Sequence, residues 1–560
     1  MSASSIERAA LSPAEKRALL AELLRKKVGG QAVEFPLSYG QKALLYLTRL
    51  QPGTPVYNTM FVIRVDARIS IDVLRTAFQR IIDRHAALRT TYALKGEHFV
   101  QQVHATWEAD FEACDACMWD ENHLEARLVE DGCHPYDLQR NSVIRLKVYS
   151  RSPESHVLLL GVHHIVFDYW SYDVFAHELT ELYACIQEGG QSALSPLRWQ
   201  FTDFVQRQQD MLTSPRGEKL LQYWQRELAG EIPALNLPTD RVRPTIQTHT
   251  GSSFNFSLED ELAGRLRVLA NEKDLTLYVL LLAAFQVLLH RYTGQDDILI
   301  GSPMVCRDSV QCEDLIGYFS NVVPLRANLA GDPSFNCFVA QVRETVLGAL
   351  EHQDYPFPLI VERIAPSRDP SRSPLIDAVF SWEKSRYGAR RQIFTEGKGI
   401  TGAQLPLHLL YARQLGSPFD VTLLIFEGQE RVSGTVLYNS DLFNPERIAR
   451  MAANFTTLLG GIVDNSAQRV SKLRLISSEE RMRLVVNWNA TSTSYPRELS
   501  LQKLFESQVE RTPGAQAVVF GEQCVSYREL NRRANQLAWY LKKRGVGPGV
   551  LVGVCLERSA

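Results

Sequence analysis

Two histidines stand side by side at the end of an apolar run in GVHHIVFDYWSYDVF: His163 and His164, followed by Asp168, Tyr169, Trp170 and Ser171. An imidazole titrates near neutrality, so it can take a proton from an amine or hydroxyl as that atom attacks a carbonyl. Such general base catalysis contributes roughly 10²- to 10⁴-fold. The residues before the pair, 157–162, read as a strand. Successive strand residues face opposite ways, so the two rings cannot share one environment: one is expected to face a cavity and the other the fold. Asp168, four residues beyond His164, is placed to fix the loop through a buried ion pair. A histidine ending an apolar strand is more often a hydrogen-bonded core residue than a base, so the rest of the chain has to decide.

The elements around the pair are mixed. MFVIRV (60–65) and HVLLLGV (156–162) read as strands, and ISIDVLRTAFQRIIDRHAAL (69–88) reads as a helix. From about residue 250 to 464 the style repeats, with strand-like SFNFSL, DILIGSP, VTLLIFE and RVSGTVLYN around one long apolar stretch. This predicts an α/β protein of two similar lobes joined through 197–243, a polar helix followed by the Pro-rich EIPALNLPTDRVRP. Residues 12–27 read as a capped helix with Ser12 as N-cap, Pro13 in the first turn and Leu19, Leu20, Leu23 and Leu24 on one face. That stripe fits either a helix folded back on its own domain or a docking segment for an upstream protein.

Bulk properties exclude several classes of function. The chain has 560 residues, 61 Lys+Arg against 63 Asp+Glu, and a formal charge of -2, with no lopsided field to draw in nucleic acid or an anionic membrane. The apolar stretch 275–289 is shorter than the roughly 20 residues a membrane span needs and is read as a buried core helix. MSASSIERAALSPAEKR is charged where a secretory signal is apolar, so a cytoplasmic protein is expected. Nine irregularly spaced cysteines fit reduced thiols. Cys114 and Cys117, with Cys133 and His134 nearby, have unequal spacing and make a poor zinc site, so no metal is expected.

HHxxxD followed by a serine resembles the HHxxxDG motif of the condensation domains of nonribosomal peptide synthetases, relatives of chloramphenicol acetyltransferase. SYGQKALLYL (38–47) is similar to that family's opening motif, RHAALRTTY (84–92) to its RHExLRTxF, and FTDFVQRQ (201–208) to its YxDYAxWQ-type segment. IGYFSNVVPLR (316–326), HQDYPFPLIVE (352–362) and RDPSRSPLIDAVFSW (368–382) resemble three further motifs in the family's order. WNAT (488–491) and VSYRELNRRANQLAWYL (525–541) resemble the linker and first core motif of an adenylation domain.

The resemblance implies a V-shaped pseudo-dimer of two chloramphenicol acetyltransferase-like lobes, 34–215 and 216–470, with a tunnel between them. An N-terminal helix (1–33) precedes them, and a linker (471–496) leads to a partial α/β segment, the truncated start of an adenylation domain (497–560), from which no catalysis is expected. Within the family the reaction is amide bond formation between a donor acyl thioester and an acceptor aminoacyl thioester, in natural-product and antibiotic biosynthesis. No cofactor is held by the domain; substrates arrive on the phosphopantetheine of upstream and downstream carrier proteins, or on coenzyme A, with an adenylation domain in cis. By position His164 is the catalytic histidine, and His163 and Asp168 shape the loop with Ser171. The ion-pair partner of Asp168 is Arg307 or Arg89. The chain departs from the motif at Tyr169, where the family has glycine: the backbone N–H is kept, but a phenol ring stands where a pantetheine arm would pass. Two other readings stay open, a chain-initiating variant fed by acyl-coenzyme A and a recruitment platform without catalysis.

Overall fold

A computed structural model of the chain describes residues 32–96, 98–190, 194–364, 369–383, 405–428, 431–557 and 559; the helix expected at 12–27 lies outside them. The chain divides into two compact units, Met1–Ser477 and Ser478–Ala560.

The first unit holds two large sheets. The N-terminal one is built from β2 (Asn58–Val65), β5 (Asp110–Asp115), β6 (Ile144–Ser152), β7 (Ser155–His163) and β12 (His408–Gln414), in the order β12-β2-β7-β6-β5. The central strand β7 is apolar along most of its length because helices cover both faces. Phe61 and Ile63 of β2 and Leu158 and Leu160 of β7 pack with helices Ile71–Arg84 and Tyr169–Gln187. The alternate residues Met60, Val62 and Leu159 pack with Leu124 and Leu128 of helix Glu121–Cys133. The period of two along each strand thus sorts its side chains between two cores. A small sheet, β1 (Val33–Pro36), β4 (His98–Val103) and β3 (Thr90–Lys95), adjoins this lobe.

The C-terminal sheet is built from β8 (Gly251–Ser257), β9 (Asp297–Val305), β10 (Ser320–Asn328), β11 (Ala378–Glu383), β13 (Val421–Glu427) and β14 (Val432–Asn439), in the order β10-β9-β11-β13-β14-β8. Here the alternation separates core from cavity. Ala378 and Phe380 of β11 and Val421, Leu423 and Ile425 of β13 pack against helices. Val379, Ser381 and Glu383, with Thr422, Leu424 and Phe426, line a cavity on the opposite face. The long apolar stretch becomes helix Leu277–Thr293, capped by the Thr276 hydroxyl and ended by Gly294 at φ 70°. It is buried over most of its surface within this lobe. Among the described residues no single helix is long and apolar enough to cross a membrane.

One strand crosses between the two sheets. β12, from the C-terminal half, pairs antiparallel with β2, Leu409 opposite Ile63 and Ala412 opposite Phe61, so it is an edge strand of the N-terminal sheet. The reason is local: β2 would otherwise expose a long apolar edge, and an unpaired edge invites foreign strands. Beyond β12 the chain turns at Gly416, where a Cβ would come 2.6 Å from the Val56 Cα, so only glycine fits the close approach. Val470 and Leu473 are buried in the first unit. The first unit ends at Ser477.

The second unit contains helix Leu501–Arg511, a hairpin of β15 (Gln516–Phe520) and β16 (Gln523–Ser526), and helix Tyr527–Lys543, whose N-cap Ser526 accepts from the Glu529 N–H.

Candidate active site

His163 is the last residue of β7 and faces the fold. Its N–H donates to the Val143 carbonyl (3.0 Å), and its Nδ1 accepts the Ile165 N–H (3.1 Å), which leaves the ring proton on Nε2 while the ring is neutral. Tyr57 and Tyr136 flank the ring. Burial, with a smaller contribution from the neighbouring His164, pushes its pKa down to about 3, so it stays neutral at physiological pH.

His164 opens a 3-10 turn, His164–Val166, and lines the cavity. Its backbone N–H is held by the Tyr57 carbonyl at 2.8 Å. Its Nδ1 lies 2.5 Å from the Phe167 carbonyl oxygen, which can only accept, so Nδ1 carries the proton and Nε2 keeps its lone pair. Burial lowers the pKa of this ring too, opposed by the Phe167 carbonyl and the Asp168 charge. The same residue type thus has two states of solvation and two tautomers one residue apart.

Two residues that the sequence reading did not single out hold this geometry. Gln41, buried in the first turn of helix Tyr39–Leu50, donates to the Ile165 carbonyl (3.2 Å) and to the Tyr92 hydroxyl (3.1 Å), tying the opening motif to the histidine turn. The Tyr318 ring packs against His164 with centroids 4.8 Å apart. Gly40 makes room for it, since a Cβ there would lie 2.8 Å from Tyr318 Cε1. Both Gln41 and Tyr318 lie within segments that resemble family motifs, but only the folded chain brings those segments together.

Asp168 is the N-cap of helix Tyr169–Gln187. Its Oδ1 accepts from the Ser171 N–H (2.8 Å), the Ser171 hydroxyl lies at 2.7 Å, and Arg307 Nη2 donates at 3.0 Å. Its Oδ2 accepts the Phe319 N–H at 3.1 Å. The Ser171 hydroxyl oxygen in turn accepts from Arg307 (3.0 Å) and from the Gly317 N–H (3.1 Å). Arg307 Nη1 donates to the Cys312 and Leu315 carbonyls, both at 2.6 Å, and its guanidinium lies 3.9 Å from the centroid of the Phe319 ring. Of the two arginines considered, Arg307 therefore pairs with Asp168, while Arg89 donates to the His104 carbonyl. The network joins the histidine turn of one lobe to residues 307–319 of the other.

Tyr169 follows the cap and turns its ring into the cavity, near Phe61 and Tyr172 of its own lobe and 5.9 Å, centroid to centroid, from Phe426 of β13. Burial, followed by the charges of Glu383 and Asp173, raises its phenol well above the usual range. The cavity itself measures about 2200 Å³ and is lined by both sheets, with Tyr57, His164, Tyr169, Tyr318, Asn321 and Phe426 among its walls. That is larger than the roughly 300–1,000 Å³ of a pocket for one small ligand. Among the described residues no group of three or more His, Cys, Asp or Glu side chains could hold a metal, and all nine cysteines are free thiols.

A family model described as the condensation domain matches residues 31–485, and one for AMP-binding enzymes matches 505–560. A linear gramicidin synthase from Brevibacillus parabrevis is 36% identical over 529 residues, covering 94% of this chain and 10% of the relative. A four-domain nonribosomal peptide synthetase bound to AMP and glycine superposes with a TM-score of 0.82 at 23% identity, covering 92% of this chain and 39% of that one. The X-domain from teicoplanin biosynthesis gives a TM-score of 0.71 at 26% identity, covering 80% of this chain and 99% of its own. The chain belongs to the condensation-domain family of nonribosomal peptide synthetases, followed by the start of an AMP-binding domain, and its fold is the two-lobed acetyltransferase-like one. It spans about a tenth of the length of the gramicidin synthase it matches.

Asp168→Asn leaves the Arg307 charge buried without a counter-charge, and the expected loss of stability is on the order of 3 to 5 kcal/mol. Denaturant unfolding measures it. A variant that unfolds like the wild type but has lost turnover would move Asp168 from structure to chemistry.

Proposed function

We propose that this domain forms an amide bond between a donor acyl thioester and an acceptor aminoacyl thioester, each delivered into the cavity on the phosphopantetheine arm of a carrier protein. The observation that carries the reading is the His164 tautomer, with Nδ1 tied to the Phe167 carbonyl and Nε2 left as a base on a cavity wall. The acceptor amine attacks the donor thioester carbonyl, forming the C–N bond, and its surplus proton passes to Nε2. The tetrahedral intermediate then collapses, the C–S bond breaks, and the departing thiolate takes that proton from His164, which returns to its starting state. Burial favours the neutral ring and so keeps the base competent at neutral pH.

The two lobes do the rest by positioning. Holding two tethered reactants in line lowers a barrier by several kcal/mol, up to roughly 7 to 11 in favourable cases, which exceeds what a single base supplies. In this reading His163, Asp168, Ser171 and Arg307 are positioning residues, and Tyr169 controls how wide a substrate arm can pass. The adenylation domain in cis would load the acceptor side, and a carrier protein upstream would present the donor.

His164→Ala is expected to lower product formation from loaded carriers by about 10²- to 10⁴-fold with thermal melting unchanged. Near-normal turnover would remove His164 as a required base.

Tyr169→Gly removes the ring and keeps the backbone donor. Carrier-bound donors should then react faster than with the wild type, while small free thioesters change little. Equal rates for carrier-bound donors in both forms would exclude gating. Inactivity of both forms with carriers still bound would favour a recruitment platform over an enzyme.

A further inference from the structure

Glu383 ends β11 on the row Val379, Ser381, Glu383 that faces the cavity. Its neighbours along that row and along the adjacent one on β13, Thr422, Leu424 and Phe426, are apolar or hydroxylic, while Glu427 at the end of β13, Asn255 of β8 and Arg431 also line the cavity. It lies in register with Phe426, the residue that Tyr169 approaches, which places it beside the start of helix Tyr169–Gln187, the helix that follows the histidine turn. The Ser381 hydroxyl donates to its Oε1 at 3.1 Å, and among the described residues it has no ion-pair partner.

Such a carboxylate is costly to charge where it stands. Burial disfavours its charge, the Ser381 hydroxyl opposes that, and the charges of Asp168 and Asp173 on the facing helix disfavour it further; the result pushes its pKa up to about 8. The other group facing it from that helix is the Tyr169 phenol, itself raised in part by Glu383. A glutamine of the same shape would avoid these penalties. A glutamate gains over it when a cation enters the cavity.

We propose that Glu383 is a specificity-determining residue that binds a primary ammonium group on a substrate in this cavity, an assignment that rests on the cavity being the amide-forming site. The ammonium has two sources: the α-amine of the acceptor aminoacyl group before it is deprotonated, or the side chain of a basic residue in either substrate. In both cases the carboxylate sits beside the Asp168 turn, so a substrate held there lies on the His164 side of the cavity. Burial and the nearby carboxylates raise the Glu383 pKa, and a cation bound against it draws that pKa down, so binding near neutral pH is accompanied by proton release.

Three stable surrogates of the pantetheine end, N-acetylethylenediamine amides, separate these sources: glycine (α-ammonium only), Nα-acetyl-lysine (side-chain ammonium only) and N-acetylglycine (no cation). Calorimetry with the full chain at pH 7, in two buffers of different ionisation enthalpy, reads affinity and proton release together. The wild type is expected to bind one of the cationic probes at least about tenfold more tightly than the neutral one, with release of a proton. Glu383→Gln should erase both the preference and the release and leave the neutral probe unchanged. A preference for the glycine probe assigns Glu383 to the acceptor amine, and one for the lysine probe assigns it to a basic side chain. Equal affinity of the wild type for all three, or a preference that survives in Glu383→Gln, overturns the inference. Binding is independent of turnover, so an inactive wild type that still prefers the cation would sink amide synthesis and support the role of Glu383.

Discussion

The Asp168 carboxylate and the Arg307 guanidinium meet with both side chains about 1% exposed, and every other feature of the site is arranged around that contact. A buried ion pair is poor evidence for stability in itself, because desolvating two charges costs as much as their attraction returns unless further hydrogen bonds satisfy both. Here those bonds are present. Asp168 takes donors from Ser171 and Phe319, and Arg307 gives to the Cys312 and Leu315 carbonyls. The partners come from both lobes, so the pair fixes the position of one sheet against the other at the place where the cavity carries His164. Its contribution is specificity of arrangement more than free energy.

From that anchor the division of labour between the histidines follows. His163 ends a strand whose ladder turns it inward, and burial keeps it neutral; its Nδ1 caps the turn that follows. His164 begins the turn, and the Phe167 carbonyl, one residue before the anchor, claims its Nδ1. Gln41 and Tyr318 hold the turn and the ring from two other segments. A base made this way needs no unusual pKa. It needs one nitrogen occupied, the other open to the cavity, and a turn that does not move.

Much of the fold is legible in the chain. The alternation in VTLLIFE places Val421, Leu423 and Ile425 in the core and Thr422, Leu424 and Phe426 on the cavity, as a period of two requires. The apolar stretch that becomes helix Leu277–Thr293 reads as a core helix from its length. The placement of β12 is not legible: HLLYARQ carries no mark of which sheet it joins, because pairing depends on an edge more than 340 residues earlier in the chain. The sequence narrows the partner of Asp168 to two arginines, but 139 residues separate Asp168 from Arg307, and only folding chooses between it and Arg89. Glu383 gives no signal of its own. It directly follows the motif-like segment 368–382, and nothing in its neighbours announces that a carboxylate there faces a cavity.

The central claim is that His164 is a neutral base with its proton on Nδ1 and Nε2 open to the cavity. ¹⁵N NMR of the chain labelled at histidine nitrogen, with the His164 signals assigned by their loss in His164→Ala, measures this without any substrate. At pH 7 the account predicts a neutral His164 ring with Nδ1 protonated, Nε2 bare, and a titration midpoint below the ordinary histidine value of about 6.5. A proton on Nε2, or a doubly protonated ring at pH 7, would contradict it.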